Sequence, residues 1–210
     1  TLDEKIGEML THLDQTGLTD DTIIIFQSDH GHSTEERTFF GGGSAGIYRG
    51  AKGCLFEGGI RVPSIITLPE VIPENQVRDQ MVTGVDWFPT LAEFCGIELP
   101  GHHIDGKSIK DVILNNNANS PHETFYWHLG SGKNPEWVVR EGDWKLLGNP
   151  EDRSNKAPLG KDDTLFLANL GMDPTEMSNL ATQYPEVVER LSGLQNDFSM
   201  SIQETLTSEQ

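Results

Sequence analysis

Apolar residues recur at helical spacing at the start of the chain: Leu2, Ile6, Leu10 and Leu13, with Met9 beside them, form one stripe. Thr1 and Glu4 make a capping-box pattern ahead of it, and Gly17 is a fitting stop, so the spacing predicts an N-terminal helix. After the turn residues Thr19–Asp21 the period changes. Thr22–Gln27 carries an unbroken apolar run, Ile23–Phe26, bounded by polar residues, and predicts a short parallel strand buried on both faces. Val62–Pro69 predicts a second core strand, ended by Pro69 and Pro73. Asp86–Cys95 reads as a helix closing at Gly96, with Pro89 tolerable in the first turn, and "DGKSIKDVILN" gives one more short helix.

The texture changes at the polar stretch Asn115–Glu123, which has the composition of a linker. Beyond it come short strand-like runs, "TFYWHL", "WVVRE", "WKLLG" and "TLFLANL", separated by Gly, Asn, Asp and Pro turns, for which antiparallel pairing is the natural reading. Trp127, Trp137 and Trp144 read as core of that small sheet. A last amphipathic helix closes the chain, with Val187, Val188, Leu191, Leu194 and Phe198 on one face. There are no internal repeats. The expected organisation is α/β: residues 1–118 form part of a sheet sandwiched by helices, and residues 119–210 a small antiparallel sheet with a closing helix. Strands taken from a larger sheet would also expose an apolar edge.

Composition narrows this picture. The chain has 210 residues, 35% of them hydrophobic, with 22 Gly and 11 Pro, which suits a loop-rich globular protein. No run of about 18 apolar residues is present to span a membrane. No signal peptide is visible, because the chain opens directly in a helix pattern. A net charge of −18 argues against nucleic acid as a partner. Locally the sign reverses. Between Arg37 and Arg61 there are Arg37, Arg49, Lys52 and Arg61 against Glu57 alone, so an anion is expected there or nowhere. Structural ion pairing is the competing explanation of those charges. Cys54 and Cys95 have no metal-like spacing; one disulfide or two free thiols are both open.

"SDHGH" (Ser28–His32) falls at the carboxyl end of the first strand, where open α/β sheets bind ligands, with Gly31 permitting a sharp turn. Adjacent residues on a regular strand face opposite ways, so Asp29 and His30 share a ligand only if the strand has already ended. Asp suits a hard cation such as Ca²⁺ or Mg²⁺, and His a softer one. Lys52 in "RGAKGCLFEGG" places a cation on a loop whose glycines let backbone and ligand approach. The long glycine-rich stretch His32–Tyr48 suggests a pocket wall including Tyr48 and Arg49, with His128 reaching the same mouth; packing roles compete for each.

In order along nearly the whole chain, "TIIIFQSDHG", "RGAKGCLFEGGIRVPSIITLP", "VDWFPTLAEFCGIELP" with "DGKSI", "VVREGDWKLL" and "LFLANLGMDPTEMSNLA" resemble the type I, formylglycine-dependent sulfatases of the alkaline phosphatase superfamily. The resemblance implies an alkaline-phosphatase-like fold and metal-assisted hydrolysis of sulfate esters, of a sulfated carbohydrate or aryl sulfate. It implies Asp29 and His30 as ligands of a divalent metal, Ca²⁺ in most members, and Lys52 as the lysine contacting the sulfate. Many relatives carry Asn at the position of His30. Glu57 and Arg61 match an "EGGxR" stretch read as architectural. Residence in the periplasm or outside the cell also fits the family.

The departures are as informative. No C-x-P-x-R motif is present to supply the formylglycine nucleophile, and the family's first pair of acidic metal ligands is missing too. The chain is therefore expected to correspond to the C-terminal half of a sulfatase, to need the N-terminal half as partner, and to be inactive alone. Two alternatives stay open: a phosphodiesterase or phosphonate-ester hydrolase of the same superfamily, and a noncatalytic module that keeps the fold.

Overall fold

A computed structural model describes residues 1–39, 41–130, 133–154, 156–157, 159–160 and 163–208. The chain divides into two compact units, residues 1–27 with 64–122 and residues 28–63 with 123–210. The polar stretch at 115–123 thus spans one crossing between units. The segment 28–63, expected with the first part of the chain, packs with the second.

In the first unit, α1 (Leu2–Gln15) starts at Thr1 with both arms of the capping box formed, and Gly17 lies just beyond it at φ 68°. None of its residues is buried, and the predicted stripe includes the exposed Leu2, Met9 and Leu10. β1 (Ile24–Gln27) pairs with β2 (Ser64–Thr67), Ile24 opposite Thr67 and Gln27 opposite Ser64, and the pairing is antiparallel. This corrects the expected parallel arrangement. The excursion 28–63 leaves β1 and re-enters β2 at the same end of the ladder, whereas parallel pairing needs a crossover to the opposite end. Nor is the pair buried on both faces, since Phe26 and Ile65 are exposed. A short helix in the other unit is α2 (Glu57–Ile60). α3 (Trp87–Cys95) closes on Gly96 in the left-handed conformation, as its sequence predicts. With α4 (Lys110–Leu114) it encloses a small core of Ile109, Val112 and Ile113 against Ile66, Ile72, Trp87 and Phe94. Buried Asp86 ties this unit together: its carboxylate accepts from the backbone of Thr83 and Lys107 at 2.8 and 3.0 Å and lies 2.8 Å from His122 Nε2.

The second unit is built on a four-stranded antiparallel meander, β3 (Thr124–Leu129), β4 (Glu136–Glu141), β5 (Trp144–Gly148) and β6 (Leu165–Asn169), in that spatial order. Strand alternation sorts its core into two. Val138, Leu147, Phe166 and Ala168 face Cys54, Leu55 and Phe56 of the 28–63 segment. Val139, Leu146 and Leu167 face Val187 and Leu191 of α5 (Pro185–Ser208). Full burial of side chains such as Leu146 and Leu147 stabilises by about 1.5–3 kcal/mol each. The three tryptophans of this sheet pack against these cores as expected. Both cysteines are free thiols, Cys54 buried and Cys95 exposed.

Candidate functional site

β1 ends at Gln27, and Asp29–Gly31 is a bend, so the strand has already broken where the two candidate ligands stand. Past the bend, backbone packs directly on backbone. The Gly31 N–H donates to the Gly59 carbonyl at 2.9 Å, and the Gly58 N–H donates to the Arg49 carbonyl at 2.6 Å. A Cβ added at Gly31 would run into the Gly58 carbonyl oxygen, and one at Gly59 into the carbonyls of Cys54 and Ala51. The short helix α2 is thereby pressed against both the 28–33 segment and the lysine loop. A cavity of about 670 Å³ opens here, within the usual range for small-ligand sites. Asp29, His30, His32, Tyr48 and Arg61 are among its lining residues.

Asp29 Oδ2 and His30 Nε2 lie 3.0 Å apart, while His30 Nδ1 sits 2.7 Å from the Gly31 carbonyl. A carbonyl can only accept, so Nδ1 carries the hydrogen and Nε2 of a neutral ring presents its lone pair to the carboxylate. Nε2 either donates to the carboxylate or turns a lone pair toward it, and the second arrangement is the one a shared cation would satisfy. Fixing one ring nitrogen by a backbone carbonyl is also how metal-ligating histidines are oriented. A carboxylate and an imidazole side by side are both donor types that divalent cations accept. Among the described residues no group of three or more His, Cys, Asp or Glu is placed to hold a metal ion, so any further ligands would have to come from elsewhere.

The other sequence candidates part company. Tyr48 lines the cavity, and its ring lies 5.0 Å from the Arg61 guanidinium carbon. Lys52 is not among the lining residues; its N–H donates to the His32 carbonyl at 2.9 Å, and its ammonium lies 3.9 Å from Glu35. Arg49 is 1% exposed and cannot form a pocket wall, which corrects that expectation. Its guanidinium pairs with Asp152 at 2.7 Å, donates to the carbonyls of Glu176 and Ala157, and stacks 4.1 Å above the Phe56 ring. A buried Arg whose three nitrogens each donate to a different, sequence-distant residue is a tie between segments. His128 lies away from the cavity, against Gln195 and Phe198 of α5. The basic window is thus largely engaged in structural pairs, with Arg37 on Glu35 and Arg61 on Glu57.

Reasoning from sequence passed over two features. His32, two residues beyond His30, lines the cavity with a buried Nδ1 that has no hydrogen-bond partner among the described residues. Beneath the site runs a row of alternating charge: Arg61, Glu57, Lys145 and Glu176, with contacts of 3.2, 2.9 and 2.9 Å. Lys145, Glu57 and Glu176 are almost wholly buried. Burial alone would raise the Glu57 carboxyl, but the Lys145 ammonium together with Arg140 and Arg61 outweighs it and holds Glu57 below the usual range. Burial likewise works against the Lys145 charge, and the two carboxylates override it. Glu176 is pushed up, because burial there is stronger than the single shared lysine. The "GDWKL" stretch carried this lysine in plain view, yet a Lys on a strand with β-sheet neighbours gives no sign that its ammonium is inside.

The architecture is of the alkaline-phosphatase-like α/β class, and comparison with known proteins makes the family definite. The Sulfatase family profile matches residues 1–97. N-acetylgalactosamine-6-O-sulfatase of Bacteroides thetaiotaomicron is 32% identical over 205 residues, covering 92% of this chain and 39% of that protein. Steryl-sulfatase of Rattus norvegicus is 40% identical over 131 residues, 60% of this chain and 22% of its own length. A solved sulfatase from work on glycosaminoglycan metabolism by Bacteroides thetaiotaomicron superposes with a TM-score of 0.72 at 30% identity, over 95% of this chain and 43% of that one. The chain belongs to the sulfatase family. It spans less than half the length of each of these relatives.

Proposed function

We propose that this chain forms part of a sulfatase that hydrolyses sulfate esters of sulfated carbohydrates. Asp29 and His30 would hold a divalent cation, Ca²⁺ by family resemblance, which when bound supplies Lewis-acid stabilisation of the sulfate oxygens. Lys52, outside the lining of the cavity as it stands in this chain, would by family resemblance set its ammonium against the sulfate once the site is completed, a charge that stabilises the leaving or nonbridging oxygen. Glu35, 3.9 Å from that ammonium, is itself paired more closely with Arg37 at 2.6 Å. Tyr48 would border the bound sugar. The formylglycine nucleophile and the remaining metal ligands would come from residues outside this chain, in an N-terminal half. A periplasmic or extracellular setting agrees with this reading; no helix among the described residues is long and apolar enough to cross a membrane.

The observation that carries the reading is the Asp29–His30 pair, a carboxylate and an imidazole 3.0 Å apart in the lining of a cavity of about 670 Å³. The carbohydrate rests on likeness, since a bacterial relative matching 92% of this chain is named for a sulfated N-acetylgalactosamine. The test uses the intact protein with sulfated monosaccharides and an aryl sulfate. Lys52→Ala is expected to fold normally and lose on the order of 10²–10³ in kcat. Asp29→Asn is expected to weaken calorimetric Ca²⁺ binding at least tenfold. Near-full activity of the first and unchanged metal affinity of the second would reject the assignment.

A further inference from the structure

The connection from β5 to β6 lies between the stretches that resemble the family, and its polar residues converge on one target, the glycine-rich segment 46–53. The Asp152 carboxylate accepts from Arg49 Nε at 2.7 Å through one oxygen and from the Ser154 hydroxyl at 2.6 Å through the other. So oriented, Ser154 Oγ accepts the N–H of buried Gly50 at 3.0 Å. Lys156 Nζ donates to the carbonyls of Gly46 and Tyr48, both at 2.7 Å. The Arg153 guanidinium covers Gly53, where an added Cβ would run into it. These targets are parts of the site. Tyr48 lines the cavity, and Gly50 and Gly53 flank Lys52. Both glycines are left-handed, at φ 95° and 84°. A glycine backbone has many alternatives to such a conformation, so what holds it has to come from neighbouring segments. The Lys52 N–H is held on one side by the His32 carbonyl at 2.9 Å, and Ser154 holds Gly50 from the other.

We propose that the β5–β6 connection is a clasp for the site: Ser154, aimed by Asp152, positions the lysine loop, and Lys156 positions the wall that carries Tyr48. Both are positioning residues that act through their targets and not on the ligand. This deepens the sulfatase reading and rests on it for the tasks of Lys52 and Tyr48. Because Lys52 serves turnover and Tyr48 borders the bound sugar, the two handles have different kinetic signatures. A loosened lysine loop lowers kcat, whereas a loosened wall raises KM. General loss of structure would move both variants alike.

The experiment combines steady-state kinetics of the intact protein on a sulfated N-acetylhexosamine with amide hydrogen exchange of the same variants. Ser154→Ala leaves a buried N–H without its acceptor and is expected to lower kcat about tenfold, with KM within about twofold of wild type. Exchange at the Gly50 amide is expected to speed up about tenfold in that variant. Ser154→Thr keeps the hydroxyl and is expected to recover most of kcat. Lys156→Met keeps the stem without the charge and is expected to raise KM about fivefold with kcat little changed, Lys156→Arg recovering part of it. On a Lys52→Ala background, Ser154→Ala is expected to lower kcat by less than about twofold further, since it acts through that ammonium. Unchanged exchange at Gly50, full additivity with Lys52→Ala, or the same kcat and KM changes in both handles would overturn the clasp. Wild-type protein without turnover, alongside faster Gly50 exchange in Ser154→Ala, would sink the hydrolase reading and keep the clasp.

Discussion

Lys145 shows how a single side chain can decide whether the site's scaffold holds together. Its ammonium has no exposure and lies between Glu57 and Glu176, 2.9 Å from an oxygen of each. The Glu57 N–H also donates to Glu176 at 2.5 Å, so strand β5, helix α2 and the turn at Glu176 meet at one charge. An ion triad of this kind need not add net stability over an apolar substitute, but breaking it strands buried charge. Lys145→Met is therefore expected to destabilise by about 3–5 kcal/mol, read as a shift of the urea midpoint. Adding Glu176→Gln is expected to return part of that loss, since one orphaned carboxylate disappears. A double variant no more stable than the single one would mean that the triad is not the source of the effect.

At the scale of elements, the site depends on three short segments with no room between their backbones. Gly31 is the sharpest case: its neighbour is the Gly58 carbonyl oxygen, a backbone atom that cannot rotate aside. Gly31→Ala is expected to cost about 2–4 kcal/mol, because the bend carrying Asp29 and His30 must move off α2. Gly7, on exposed α1, meets nothing within 4 Å and serves as the control, where alanine is expected to be neutral or slightly stabilising. Unchanged stability of Gly31→Ala would show that the packing tolerates a methyl group. Helices with caps and stripes, such as α1 and α3, were legible from Thr1 with Glu4 and from Gly96, because their signals are local. The meander β3–β6 was legible from alternation and turns. The sense of the β1–β2 pairing was not, since an apolar run reads alike in either direction and only the path of 28–63 decides it. Arg49 and Arg61 illustrate the same limit within the site. Both sit in one glycine-rich basic stretch, and their opposite fates come from remote partners, Asp152 and Phe166 for the first and Tyr48 for the second. Asp29 and His30 were legible as a pair, because the glycine after them announces where the strand ends.

Across the whole molecule, stability against pH sums groups pushed in opposite directions. Glu136 is buried on β4, where its carboxylate accepts from the N–H of Leu55 at 3.1 Å; burial outweighs this and lifts its pKa from 4.5 to about 7. A raised folded value means the native state binds a proton that the unfolded chain has released, so this contribution is complete below pH 4.5 and is lost as pH climbs to about 7. The full swing is on the order of 3 kcal/mol. Asp152, fastened to Ser154 and Arg49, and Asp173, which caps the backbone of Thr175 and Met177, are both held below the ordinary aspartate value of 3.8. Their contributions are present above that value and fade as pH falls beneath it. The net charge of −18 adds self-repulsion that relaxes on acidification toward the isoelectric region, reinforcing the Glu136 trend. Stability should therefore peak at mildly acidic pH, near about 4.5–5, and decline toward neutrality. Glu136→Gln keeps the acceptor for Leu55 while removing the titration, so its urea-unfolding free energy should fall less between pH 4.5 and about 7 and should exceed the wild type's at still higher pH. Parallel profiles for the two proteins would show that Glu136 ionises as freely in the folded state as in the unfolded one.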